Sequence, residues 1–149
     1  MFQNIDLKNL QNLDEQLENL KQKFDENEWK LVDEKIIKNV LNQPLFKKIE
    51  QDDIILQERE FFAKMPVSMI DETAEDGNEF VLQGVVDLLV VKKDELWILD
   101  YKTGKLSDEK LEKYKFQIET YASVCERAYG KKVTKRYLCL VDTEKILEI

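Results

Sequence analysis

Two apolar runs parted by three charged residues do most to determine what this chain folds into. Phe80 to Val91 ends in Leu88-Leu89-Val90-Val91, Glu95 to Tyr101 carries Leu96-Trp97-Ile98-Leu99, and Lys92-Lys93-Asp94 lies between them. Short apolar runs rich in Val, Ile and Leu predict strands buried on both faces, and the short separator predicts that the two pair as an antiparallel hairpin. Each run carries one acid: Asp87, in Gly84-Val85-Val86-Asp87, and Asp100, in Asp100-Tyr101-Lys102-Thr103-Gly104. The hairpin sets these acids on adjacent strands. Residues i and i+2 of a strand share a side, so Asp100 and Lys102 reach one place while Tyr101 faces away.

An acid-x-Lys triplet means little by itself in a chain with 36% charged residues, and it recurs at Asp6/Lys8, Glu28/Lys30, Asp33/Lys35 and Asp108/Lys110. Those four lie in helical patterns or helix starts, where such pairs are ordinary solvated surface. Only Asp100/Lys102 ends an apolar strand. On that segment alone, a charged strand end entering a turn at Thr103-Gly104 explains the residues as well as a site does. Two carboxylates and a lysine at the ends of neighbouring buried strands are nevertheless the parts from which a metal-dependent phosphodiester-cleaving site is built.

Elsewhere the chain alternates helix and strand. Leu10, Leu13, Leu17, Leu20 and Phe24 recur at steps of three and four, as do Trp29, Val32, Ile36, Val40 and Leu41 after the polar Asp25-Glu26-Asn27. Two amphipathic helices are predicted, the second stopped by Pro44. The leucine stripe of the first has two possible fates: burial on the sheet, or exposure as a self-associating face. Ile54 to Phe62 reads as a strand with Glu58 and Glu60 alternating against Arg59 and Phe61, and Met65 to Ile70 extends the sheet past Pro66. Asp71 to Asn78 reads as a hairpin loop. Ser107 is the expected N-cap and Gly130 the expected stop of a helix whose face holds Tyr114, Gln117, Tyr121, Val124, Cys125 and Ala128. Val133 to Asp142 and Lys145 to Ile149 read as final strands. The order predicts an α/β fold, one mixed sheet flanked by helices, in a single domain with a helical part at 1–46 and a core at 54–149.

Composition narrows the chemistry. The chain has no histidine and two cysteines without a CxxC, which leaves zinc and iron–sulfur sites short of ligands and predicts Cys125 and Cys139 as buried thiols. No apolar run spans a membrane and the first residues lack a signal-peptide pattern, so a soluble, cytoplasmic protein is expected. The net charge of −8 argues against a simple nucleic-acid coat. Its distribution is uneven: residues 1–50 hold 8 basic against 10 acidic residues, 51–100 hold 4 against 13, and 101–149 hold 11 against 8. The acidic excess falls where the strand carboxylates lie. The basic excess follows, with Lys102, Lys105, Lys110, Lys113 and Lys115, compatible with a phosphate-tracking surface and equally with a solvated face.

Gln117 and Tyr121 stand one helical turn apart on the same face. A buried Gln needs a polar partner, and the carboxylate site is the nearest; a Gln at the domain edge beside a core Tyr is the plainer reading. Together with Asp87, Asp100 and Lys102, in that order and spacing, the pair favours a site.

At this point the sequence resembles a known family, the PD-(D/E)xK nucleases of the RecB and AddA type. The matching stretches are Arg59-Glu60-Phe61-Phe62, like the family's rE-x-F strand, Gln83 to Leu89, like its G-x-x-D strand, Leu99 to Gly104, like its DYKT motif, and Gln117 to Tyr121, like its Q-x-x-x-Y helix. Val40 to Phe46 is similar to the segment just before the rE strand. The resemblance implies a restriction-endonuclease-like core and roles for matching residues. Asp87 and Asp100 would be metal ligands, joined by the Tyr101 backbone carbonyl. Lys102 would position or activate the attacking water and stabilise phosphate charge. Gln117, Tyr121 and, less directly, Glu60 would support these groups or touch DNA. All-oxygen ligands suit Mg²⁺, with Mn²⁺ a substitute.

The resemblance also implies a Mg²⁺-dependent deoxyribonuclease acting on single-stranded DNA in double-strand-break processing and recombinational repair, and leaving 5′-phosphate and 3′-hydroxyl ends. Helicase domains, and a partner subunit, would work beside it. A family histidine normally found upstream of the rE strand is absent, and the expectation is that this chain is the C-terminal fragment of a larger protein whose missing part carries it. No GK[ST] phosphate loop occurs, so ATP dependence would belong to that part. Two other readings stay open: a catalytically impaired nuclease fold that binds DNA or a partner, and a stand-alone endonuclease of the same superfamily.

Overall fold

The computed structural model describes residues 1–149. Four helices come first: α1 (Leu13–Lys21), α2 (Glu26–Trp29), α3 (Glu34–Leu41) and α4 (Pro44–Lys47). Three strands follow, β1 (Ile54–Pro66), β2 (Glu79–Val91) and β3 (Glu95–Lys102), then the long α5 (Asp108–Tyr129), β4 (Lys132–Leu140) and β5 (Lys145–Glu148). The five strands form one mixed sheet in the order β1-β2-β3-β4-β5. All neighbours are antiparallel except β3 and β4, whose parallel pairing requires the crossover that α5 supplies. This is an α/β fold consistent with the restriction-endonuclease-like core.

Each sheet face is covered differently. On one face Leu88, Val90, Trp97, Leu99, Tyr137 and Cys139 pack against Leu7, Leu17, Leu20, Val40 and Phe46 of the N-terminal helices and their connections. On the other, Val86, Leu89, Leu96 and Ile98 pack against Ile118, Ala122 and Cys125 of α5. The leucine stripe of α1 is thus buried on the sheet. Burying apolar side chains on both faces explains why β2 and β3 read as near-continuous hydrophobic runs. Both cysteines are free and buried, and burial pushes the Cys125 thiol up to about 11 and that of Cys139 up to about 12.

The helical part is more broken than its periodicity suggests. In place of one helix from Trp29 to Leu41, α2 ends at Trp29 and α3 starts at Glu34, because the Asp33 carboxylate caps the backbone N–H groups of Lys35 and Ile36. Pro44 does not merely stop α3; it occupies the first turn of α4, where its missing N–H is no loss. β1 runs unbroken through Pro66, and a 3-10 turn at Val67–Met69 replaces the expected strand continuation. β4 stops at Leu140, with Val141–Thr143 forming another such turn. Asp71 to Asn78 closes the β1–β2 hairpin without regular structure.

Candidate active site

The site grows from a fault in the sheet. β1 and β2 pair in one register from Ile54/Val91 to Pro66/Glu79, and the only skipped pair is Glu58 opposite Asp87. Leu56 and Phe61 both pack on the α5 side, as do Leu89 and Val86. Strict alternation forbids each of those pairings, so both strands lose one step of the pleat at the skipped pair. Glu58 absorbs it on β1 with a left-handed φ of 48°. On the other flank, β2 and β3 stay paired only as far as Leu88/Leu99, so the next pair, Asp87 and Asp100, lies where the strands part.

Asp87 fills that opening. Its Oδ2 accepts the Tyr101 backbone N–H at 2.8 Å. The N–H and C=O of one strand residue project the same way, so the Tyr101 carbonyl is directed into the same gap. Alternation from Ile98 sets Asp100 and Lys102 on the α5 side and Tyr101 on the other. Asp100 is only 7% exposed. Its Oδ2 lies 2.7 Å from Lys102 Nζ.

Helix α5 completes the arrangement. It is N-capped by Ser107, whose Oγ accepts the Lys110 N–H at 3.2 Å, and ends at Gly130 with φ 64°. Lys102 Nζ donates to Gln117 Oε1 at 3.0 Å, and Gln117 Nε2 donates to the Tyr121 hydroxyl at 3.1 Å. The Tyr121 ring packs edge-on against Phe61 with centroids 5.1 Å apart. Gly84 makes this contact possible, since a Cβ there would lie 2.8 Å from Phe61 Cζ and 2.9 Å from the Tyr121 hydroxyl. The Lys102 ammonium also lies over the Tyr114 ring, 4.6 Å from its centre. A chain of contacts therefore runs from Gly84 through Tyr121, Gln117 and Lys102 to Asp100.

Burial raises the Asp87 carboxyl to about 6 and the neighbouring Asp100 carboxylate adds to the rise, while the Tyr101 N–H and the Lys102 charge oppose it. The two carboxylates and the Tyr101 carbonyl directed between them form an all-oxygen donor set that fits a hard divalent cation, with the Lys102 ammonium beside it. A second acidic group, Glu50, Asp52 and Asp53, lies before β1 with its carboxylate oxygens within 4.8 Å of one another. There the buried member is already matched: Asp53 Oδ2 is 2.7 Å from Lys92 Nζ and accepts the Glu50 N–H at 2.8 Å. In each group one buried carboxylate is thus paired with a lysine, Asp53 with Lys92 and Asp100 with Lys102.

Of the residues singled out from sequence, Asp87, Asp100, Tyr101, Lys102, Gln117 and Tyr121 come together. Glu60 does not: it is exposed, makes no side-chain hydrogen bond or ion pair, and alternation from Phe61 puts it on the face away from α5. Three contacts had no clear signal in the sequence. Tyr114 read as an ordinary core position, Glu58 read as a regular strand residue, and Phe2 stacks on Tyr101 with ring centres 4.4 Å apart although about two thirds of the chain separates them. Asp142 Oδ2 accepts the Gly104 N–H at 2.5 Å and so holds the turn that follows Lys102.

Comparison with known proteins agrees with this fold. A family model described as the PD-(D/E)XK nuclease superfamily matches residues 3–148. The chain is 31% identical over 111 residues to an ATP-dependent helicase/nuclease of Listeria monocytogenes (serotype 4a, strain HCC23), a match covering 68% of this chain and 9% of that protein. It is 29% identical over 131 residues to the protein of the same name from Listeria welshimeri, covering 80% of this chain and 11% of the relative. The corresponding helicase/nuclease of Thermoanaerobacter sp. (strain X514) is 36% identical over 100 residues, covering 64% of this chain and 8% of the relative. The chain spans about a tenth of the length of these curated relatives. With the family model covering nearly every residue, the chain belongs to the PD-(D/E)XK nuclease superfamily.

Proposed function

We propose that this chain is a Mg²⁺-dependent deoxyribonuclease module that cuts single-stranded DNA within a helicase-nuclease during double-strand-break processing in the cytoplasm. The observation that carries the reading is the Asp87/Asp100 pair in the β2–β3 opening, with Lys102 held at 2.7 Å from Asp100 and 3.0 Å from Gln117. The relatives are named as ATP-dependent helicase/nuclease proteins and as one kind of subunit, which supports a helicase motor and a partner chain working beside it. Residues 1–46 and 54–149 act as one unit in this reading, since the N-terminal helices cover one face of the catalytic sheet.

Asp87, Asp100 and the Tyr101 carbonyl would hold the divalent cation, Mg²⁺ with Mn²⁺ a working substitute. When bound, such an ion acidifies water and offsets charge on a phosphate. The chain's own groups do the rest. An ammonium has three donors, and Lys102 uses two of them on Asp100 and Gln117. The third is left for a phosphate oxygen or the attacking water. Gln117 fixes the lysine's position, and Tyr121, wedged against Phe61 and Gly84, fixes Gln117.

The test is cleavage of end-labelled single-stranded DNA with Mg²⁺ or Mn²⁺. Asp100→Ala should abolish cutting, and Lys102→Ala should lower it by about 10²–10³, the usual cost of one electrostatic donor at a reacting centre. Cleavage indifferent to both substitutions refutes the assignment. A second reading, a fold that binds DNA without cutting it, is favoured by the absence of any histidine in the chain; it is supported if wild type binds the strand and cuts nothing with either ion.

A further inference from the structure

We propose that the groove between α5 and β2 is a subsite for single-stranded DNA, in which Phe116 stacks a nucleobase and Lys113 contacts the backbone phosphate. The proposal rests on the nuclease reading and adds the means by which the strand is held. The groove holds about 460 Å³ and is lined by Lys113, Phe116, Gln117 and Thr120 of α5, by Gln83 of β2 and by Lys102 at the end of β3. Lys113, Phe116, Gln117 and Thr120 follow the i, i+3, i+4, i+7 spacing of a single helix stripe. That stripe is separate from the one that packs α5 onto the sheet through Ile118, Ala122 and Cys125.

The groove has the features that single-strand binding needs. Phe116 is 56% exposed, an aromatic surface left in water on a helix whose core contacts are made elsewhere. Lys113 enters no ion pair, whereas Lys115 two residues on is matched by Glu112 at 3.5 Å. Lys102 belongs both to the groove wall and to the acid pair, so a chain lying in the groove meets the reacting centre at its end. An exposed aromatic beside a free cation suits a polymer of alternating phosphates and flat apolar faces. Single strands offer their base faces to aromatic side chains, with about 1–3 kcal/mol per stacked base. In a duplex those faces are buried in the stack, so the groove selects single strands.

The experiment measures anisotropy of a fluorescein-labelled thymidine oligonucleotide with the full chain in EDTA, where no cutting occurs. Phe116→Ala should weaken binding about tenfold, Phe116→Trp should restore it, and an abasic strand of equal length should bind both alike. Lys113→Gln should flatten the slope of log affinity against log salt by about 0.7, one phosphate contact on a single strand. Circular dichroism verifies that each variant keeps its helix. Equal affinity of wild type and Phe116→Ala overturns the proposal, as does an equal loss on the abasic strand, or no binding of any strand by wild type. The nuclease reading fails separately: a strand bound through Phe116 but left uncut with Mg²⁺ and Mn²⁺ refutes cleavage alone.

Discussion

Asp87 shows how the fold reshapes one residue's chemistry. Its carboxyl stands at about 6 in the folded chain against 3.8 for the free group, first through burial and then through Asp100. An acid with a raised folded pKa binds its proton more tightly in the folded state, so it favours folding at low pH and this contribution is lost as pH rises from about 4 to 6. Metal-free Asp87→Asn should therefore melt above wild type at pH 8, with the gap closing near pH 4.5; equal melting at pH 8 refutes the assigned shift. Gly84 acts by contrast through shape. Gly84→Ala inserts a methyl group 2.8 Å from Phe61 and 2.9 Å from the Tyr121 hydroxyl, and overpacking of this kind costs about 1–3 kcal/mol. Urea denaturation should show that loss, and cleavage should fall with it because Tyr121 no longer holds Gln117; unchanged stability and rate would show that the tight contact is dispensable.

At the scale of elements, α5 is the part whose ends matter most, since Gln117 and Tyr121 ride on it. Ser107→Ala removes the cap on Lys110 N–H and should lower stability by about 1 kcal/mol in chemical denaturation, a loss that Ser107→Asp should restore. This helix, its cap and its Gly130 stop were legible in the sequence because each depends on local chemistry. The β2–β3 hairpin was legible for the same reason, as apolar runs parted by Lys92-Lys93-Asp94. The break between α2 and α3 was not. Trp29, Val32 and Ile36 keep a helical spacing straight through it, and only the Asp33 side chain, choosing to cap rather than continue, ends the pattern. Nor was the pleat fault: Glu58-Arg59-Glu60 reads as plain alternation, and the left-handed φ of Glu58 follows from tertiary pairing with β2, which no local pattern records. Glu60 was singled out by its motif alone, and that same fault turns it from the α5 face.

Taken as a whole, the molecule offers a cation two acidic clusters, one just before β1 and one where β2 and β3 part, and they are wired differently. In the cluster of Glu50, Asp52 and Asp53, Lys92 Nζ lies 3.8 Å from Glu50 and 2.7 Å from the buried Asp53. At the other cluster Asp100 is paired with Lys102, which is also bound to Gln117, Asp87 lies outside that ion pair, and between the two acids the strands open. An ion binding only the folded chain stabilises it by RT ln(1 + [ion]/Kd), about 2.7 kcal/mol at a hundredfold excess over Kd. For a chain of this size that raises Tm by roughly 5–10 °C. Thermal melts with Mn²⁺ should show such a rise in wild type and in Glu50→Gln/Asp52→Asn, both exposed positions, and none in Asp100→Asn. The rise should shrink below about pH 6, where the proton on Asp87 competes with the ion. A shift abolished by the Glu50/Asp52 double variant and retained by Asp100→Asn would move the cation to the other cluster and leave the β2–β3 opening without its proposed role.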